Sequence, residues 1–245
     1  MEFVEIRHQV AIAGQVTDAQ TGQVLRDAQV TIRAAPAAFI ARLIVAAKAA
    51  DRRADAVAKQ RATLNDPEAS AEKKLAAAQA ILDYVQQHEG IIPKRSDQTQ
   101  TAVDGIFYFL DLPAGVYTFI ASQPGFGTRY GTVRTTAAVT HTNGNINMAT
   151  VDIALPPTTL KGQITGPSLD DGRVGPVLMA QVQVKGSGES TFSDSKGQYL
   201  LAGLETGLRT VRVSAQGYQG VERTVEFTQA GTERIVNIAL ASSTP

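Results

Sequence analysis

The side chains that could do chemistry are few, and their spacing argues against it. The three histidines, His8, His88 and His141, fall near the N-terminus, at a predicted helix end and in a predicted loop. A catalytic metal site needs ligands at short spacings such as H-x-x-x-H, which none of them has. With no cysteine in the chain, disulfides and thiolate-based zinc sites are excluded. Asp170, Asp171, Gly172 and Asp194 are the residue types of a calcium loop, yet no EF-hand register joins them, and carboxylates beside glycine are ordinary turn chemistry. The chain has no tryptophan, and Tyr130, Tyr199 and Tyr218 fall mostly at core or turn positions, which weakens the case for a sugar-stacking platform. The expectation is therefore no catalytic, metal-binding or cofactor-binding residue, and no enzyme.

Bulk properties narrow the partners. Lys and Arg together number 23, as do Asp and Glu, giving a formal net charge of zero in 245 residues. Nucleic-acid binding relies on clustered cations and is not expected. No window is apolar for long enough to span a bilayer. The first residues, Met1-Glu2-Phe3-Val4-Glu5, carry acids where a Sec signal has a basic stretch. Synthesis in the cytoplasm without a Sec signal is the expectation.

The elements that would position any site come in two copies. The run from Asp104-Gly105-Ile106-Phe107 through Leu112-Pro113-Ala114-Gly115 to Gly125-Phe126 returns as Lys196-Gly197-Gln198-Tyr199, Leu204-Glu205-Thr206-Gly207 and Gly217-Tyr218, at one constant offset. Upstream, Ala28-Gln29-Val30 matches Ala180-Gln181-Val182 at a larger offset, so the first copy carries an insertion. Short alternating stretches such as Val116–Ser122 and Leu208–Ser214, separated by Gly-rich turns, read as strands of antiparallel sandwiches. Asp104-Gly105 is a tight-turn pair, and Phe107 and Tyr199 are placed on inward strand positions. Pro156-Pro157 reads as a short, stiff linker, dividing the chain into 1–156 and 157–245.

The insertion, 35–90, has another composition. Ala35 to Thr63 is rich in Ala, Lys and Arg and reads as one long helix, roughly 40 Å at about 1.5 Å per residue. Asp66 and Pro67 read as the start of a second helix that ends near Glu89, with Gly90 as its cap. The pair predicts an αα-hairpin. Around Phe39 the first helix is apolar almost all round and needs a surface to cover it: its own sandwich, a second copy or another protein. Phe39, Ile40, Leu43 and Ile44 at its base, with Arg52 and Arg53 further along, are the candidate partner-binding residues. The distal charges, Asp51 to Arg61 with Lys73 and Lys74, read as a solvated tip or polar contact.

Gly14-Gln15-Val16-Thr17-Asp18, Asp27-Ala28-Gln29-Val30, Asp104-Gly105-Ile106-Phe107, Leu112-Pro113-Ala114-Gly115-Val116-Tyr117 and Pro124-Gly125-Phe126 together resemble the carboxypeptidase regulatory-like domain. The second copy is similar through Gly162-Gln163-Ile164-Thr165, Gly197-Gln198-Tyr199 and Gly217-Tyr218, although Glu205-Thr206 replaces Pro-Ala. The resemblance implies a mainly β chain of two tandem transthyretin-like antiparallel β-sandwiches, with the αα-hairpin inserted in the first. It implies no activity, since this family serves as accessory or display modules. The His- and Arg-bearing site and Tyr-Arg-Gly-Ser tail of the transthyretin-like hydrolases have no match here. Related collagen-adhesin domains imply one further option, an isopeptide bond between Lys161 and Asn237; the first copy has Ala13 and Asp152 there.

These readings converge on a structural or adaptor protein that contacts protein partners, or itself, through the hairpin. By family analogy it would suit a cap or baseplate of a contractile phage-tail-like injection system, assembled in the cytoplasm. The alternative is a carbohydrate- or peptide-binding accessory module of a cell-surface or cell-wall protein. A small-molecule ligand is not expected.

Overall fold

A computed structural model describes residues 8–51, 55–89, 95–168 and 172–243. The chain divides into two compact units. The first holds the described residues of Met1–Thr17, Val24–Ala121 and Val133–Ile153. The second holds those of Asp18–Gln23, Ser122–Thr132 and Ala154–Pro245. Three segments that belong to the first copy by sequence, 18–23, 122–132 and 154–156, thus group with the second unit.

In chain order the first copy runs β1 (Val10–Asp18), β2 (Gln29–Ala34), α1 (Ala37–Ala50), α2 (Ala58–Asn65), α3 (Ala71–Glu89), β3 (Gln98–Gln100), β4 (Ile106–Leu110), β5 (Gly115–Ser122), β6 (Val133–Thr142), β7 (Asn145–Asn147), β8 (Ala149–Thr150) and β9 (Ile153–Leu155). One sheet has the order β4-β1-β8, with β9 also on β1; the other has the order β3-β2-β5-β6-β7. The second copy runs β10 (Thr159–Pro167), β11 (Val174–Pro176), β12 (Gln181–Val184), β13 (Ser190–Phe192), β14 (Gln198–Ala202), β15 (Gly207–Ser214), β16 (Val221–Phe227), β17 (Glu233–Ile235) and β18 (Ile238–Ala239). Its sheets are β11-β10-β14, with β17 and β18 on β10, and β13-β12-β15-β16. The two sandwiches share one topology. Each first strand lies between an antiparallel hairpin-side strand and a parallel final strand.

The repeated residues do the same work in both copies. A Cβ on Gly14 would sit 1.7 Å from Val151 O, and one on Gly162 would sit 2.0 Å from Val236 O. Only glycine lets the final strand approach that closely. Alternation then sends Phe107, Tyr117 and Phe119 into the first core and Tyr199, Val211 and Val213 into the second. A buried hydroxyl is duplicated too. Thr101 Oγ1 donates to Leu25 O at 2.6 Å and accepts from Ala28 N; Ser193 Oγ donates to Val177 O at 2.6 Å and accepts from Ala180 N.

The insertion is helical, but its first half is two helices, α1 and α2. Asp51 leaves helical geometry at φ −73°, ψ 98°, with its N–H still on Ala47 O. Its buried carboxylate takes Arg61 Nε at 2.8 Å, and Lys48 Nζ reaches Asn65 Oδ1 at 2.8 Å, so α2 folds back beside the end of α1. Asp51 is therefore a buried joint and not part of a solvated tip. The start of α3 also differs from expectation. Pro67 lies in a turn, and Ser70 takes the capping place, its Oγ accepting Lys73 N. The Gly90 cap lies outside the described residues.

Candidate interaction surface

The insertion is seated in the first sandwich. Pro36 opens α1 by packing on Gly115, where a Cβ would meet the proline Cγ at 2.3 Å; the matching Gly207 has nothing within 4 Å. Phe39 then meets Tyr117 edge-on, with ring centroids 5.7 Å apart, and the rings continue through Phe119 to Phe109 and Phe107. Tyr117 OH donates to Pro113 O at 2.8 Å. In the second copy Arg209 takes the place of Tyr117 and donates to the matching carbonyl, Glu205 O, at 3.0 Å. An aromatic ring is supported at 117 because α1 covers it; the position without a helix carries a partly exposed arginine. Burial pushes the Tyr117 hydroxyl up to about 12, against the opposing charge of Arg42.

A second anchor is polar. Arg95 grips Asp97 with two hydrogen bonds of 2.8 Å and reaches Asp83 on α3 at 2.6 Å. Gln79, also on α3, donates to Asp97 Oδ2 at 3.1 Å and to Ile32 O at 2.9 Å. Asp97 is fully buried, and its own carbonyl takes Ile32 N. The guanidinium loses solvation on burial, but the hydrogen bonds and charges of Asp97 and Asp83 outweigh that and raise its pKa above the ordinary value. Helix α3 is thereby bound both to β2 and to the segment that returns the chain to β3.

These anchors decide where the expected contact residues stand. Phe39, Ile40 and Leu43 are buried inside the first unit, so as placed they hold the insertion down instead of offering a free face. Ile44 is half-buried. Arg52 and Arg53 lie outside the described residues. The outward face of α1 carries Ala41, Val45, Ala46 and Ala49, all exposed, with Val45 at 67 %.

Beside α1 lies a cavity of about 340 Å³ between the helix, the segment leading into β3 and strand β4. Phe39, Phe109 and Leu112 form its apolar floor, and Arg42 stands at its rim, giving Nη1 to Asp111 O at 2.9 Å. Sequence reasoning did not find it, because its walls come from an insertion, a connector and a strand far apart in the chain.

The histidines sit in three separate places. His8 pairs with Asp111, His88 stacks on Tyr84 and bonds its carbonyl, and His141 Nε2 lies 3.0 Å from Leu112 O. Among the described residues no three His, Cys, Asp or Glu side chains are grouped to hold a metal ion. None of the described helices is long and apolar enough to cross a membrane.

The second unit has its own polar features. Lys161, Gln163, Asp194, Gln198 and Asn237 line an open groove of about 470 Å³ on the outer side of β10 and β14. Within it Lys161 Nζ pairs with Glu233 at 2.7 Å, and Asn237 Oδ1 accepts Gln163 N at 2.9 Å. The first copy repeats the latter contact with Asp152 and Gln15 N. Lys161 and Asn237, the pair named as an isopeptide option, thus each have other contacts. Elsewhere Arg129 joins Glu189 at 2.9 Å and Glu205 at 3.2 Å, while Thr128 N donates to Glu205. Hydrogen bonds from Thr128, with lesser help from Arg129, hold the Glu205 carboxyl below its usual range. Ser187 is the first cause of the same shift at Glu189.

Residues 159–241 match the carboxypeptidase regulatory-like domain. The first sandwich repeats the topology of that regulatory-like domain around its insertion. Among curated proteins none matches the sequence. Among solved structures the chain is similar to the shaft pilin SpaA of Lactobacillus rhamnosus GG, at 13 % identity over 98 % of both chains with a TM-score of 0.36. It is also similar to the Bacillus anthracis TIE protein, at 14 % identity over 95 % of this chain and 34 % of that one, TM-score 0.37. A third similarity is to a type II cohesin–X-dockerin complex from Acetivibrio cellulolyticus, at 18 % identity over 35 % of this chain and 58 % of that one, TM-score 0.29. The alignments thus take in about a third to three fifths of the length of the last two.

Proposed function

We propose that this chain is a non-enzymatic structural or adaptor protein, in which regulatory-like sandwiches serve as a mount and the helical insertion as the contact element. One observation carries this reading: of two sandwiches with the same topology, only the first is interrupted, and its insertion is fixed by both an aromatic and an ionic anchor. The twin sandwich forms without such an insertion, and long insertions inside compact domains commonly carry function. The contact face is the outward side of α1, at Ala41, Val45 and Ala49. Val45→Glu with Ala41→Glu leaves the buried side intact and should release the native protein from a larger assembly on size-exclusion chromatography. An unchanged elution volume would sink the assignment.

The finer setting, a cap or baseplate component of a contractile phage-tail-like injection system assembled in the cytoplasm, rests on family analogy. It is tested by whether the native protein sediments with a particle. The amide-lined groove at Gln163, Gln198 and Asn237 favours a second reading, carbohydrate binding. A glycan array separates the two: binding abolished by Gln163→Ala would support the second.

A further inference from the structure

Among the described residues, strand β4 is the edge of its sheet. Val16 N bonds Gly105 O, so alternation along the antiparallel pair turns the backbone of Phe107 and Phe109 toward β1. The N–H and C=O of Tyr108 and Leu110 then face the other way, toward the edge; Ile106 O is already taken by Ala102 N. The cavity floored by Phe39, Phe109 and Leu112 opens along that same edge. Arg42 lines that cavity and gives Nη1 to a neutral carbonyl, Asp111 O. Arg95, also on the lining, is already neutralised by Asp97 and Asp83.

We propose that this edge and cavity bind an extended segment of a partner protein as an added strand, with a large apolar side chain in the cavity and a carboxylate two residues away on Arg42. The three requirements are met by separate features. Exposed edge amides and carbonyls recognise main chain, the cavity recognises a ring or large aliphatic group, and the guanidinium recognises an acid. Residues two apart on a strand share one face, which is why apolar and acidic groups must be so spaced. The second unit supplies a control. Its matching edge, at Leu200 and Ala202 of β14, has no inserted helix beside it to form the other wall. The inference rests on the adaptor reading and names the chemistry of the partner.

The test uses the full chain and a fluorescein-labelled, blocked peptide, Thr-Val-Phe-Thr-Glu-Val-Thr. Anisotropy should show saturable binding, weakened about tenfold or more by Phe→Ser or by N-methylation of alternate peptide residues. Arg42→Glu in the protein should do the same. Amide exchange should slow at Tyr108 and Leu110 and stay unchanged at Leu200 and Ala202. No saturable binding at millimolar peptide, or binding indifferent to N-methylation and to Arg42→Glu, overturns the proposal. Binding seen only after removal of residues 1–7 assigns the groove to the chain's own N-terminal segment and also overturns it. Peptide binding by a chain that elutes free supports the groove while removing the adaptor reading; failed binding with native assembly intact removes the groove alone.

Discussion

Tyr117 shows how a single position records the presence of the insertion. Its ring is buried beneath Phe39 and its hydroxyl is spent on Pro113 O, whereas its counterpart Arg209 meets the same turn carbonyl from a partly exposed site. The folded-state pKa near 12 lies above the ordinary value of 10, because burial opposes the phenolate. A raised pKa gives stability that is complete below pH 10 and lost as pH rises toward 12. Two pH units correspond to about 2–3 kcal/mol for this buried hydroxyl. Tyr117→Phe should therefore cost about 1–2 kcal/mol at pH 7, through the unpaired Pro113 carbonyl, and yet flatten the alkaline limb between pH 10 and 12. Urea unfolding at pH 7, 10 and 11.5 checks both signs. Tyr199, also raised to about 12 by burial, remains in the variant, so part of the alkaline loss should persist.

At the scale of elements, the insertion is fixed by groups whose partners are remote in sequence. Arg95 stands in the connector that returns to β3, Gln79 and Asp83 stand on α3, and all converge on Asp97 or on Arg95 itself. Removing one member leaves a buried charge without its partner, which costs about 3–5 kcal/mol, while replacing both charges by apolar groups is often neutral. Arg95→Met should thus lower stability by that amount in urea unfolding, and Arg95→Met with Asp97→Leu should recover most of it. A loss in the double variant equal to the sum of the Arg95→Met and Asp97→Leu losses would show that the pair does not act as a unit. None of this was legible beforehand, since Arg-Ser-Asp in a connector reads as solvated loop. The break at Asp51 was equally silent: no Gly or Pro marks it, and its cause is a tertiary ion pair with Arg61. By contrast, the strands announced themselves, because the turn glycines and alternating aromatics around Gly105 and Gly197 answer to local sterics that act alike in both copies.

Across the whole molecule, the repeat in sequence and the division into compact units do not coincide. The sequence places its boundary at Pro156-Pro157, but Ser122–Thr132 groups with the second unit, and the reason is chemical. Thr128 and Arg129 bond Glu205, Arg129 also bonds Glu189, and Tyr130 OH donates to Asp18 at 2.8 Å. A motif scan sees Gly125-Phe126 only as a turn of the first copy, since nothing local says which core a loop will serve. A fragment of 157–245 therefore keeps the apolar core around Leu160, Val182 and Phe227 but leaves Glu189 and Glu205 without Arg129. The fragment should fold and melt at a lower temperature than the same unit in the full chain. The difference should depend on pH in a defined direction. Both carboxyls are held below their ordinary value in the intact chain, so the stability they lend is present above pH 4.5 and fades as pH falls through their lowered values. Full chain and fragment should accordingly differ most at pH 7 and converge toward pH 3 in thermal melts, and Glu205→Gln in the full chain should remove part of that acid dependence. A gap that stays constant from pH 7 to pH 3 would mean that the loop stabilises the second unit by apolar packing, with Phe126 and Tyr130, whose rings meet edge-on, as the groups responsible.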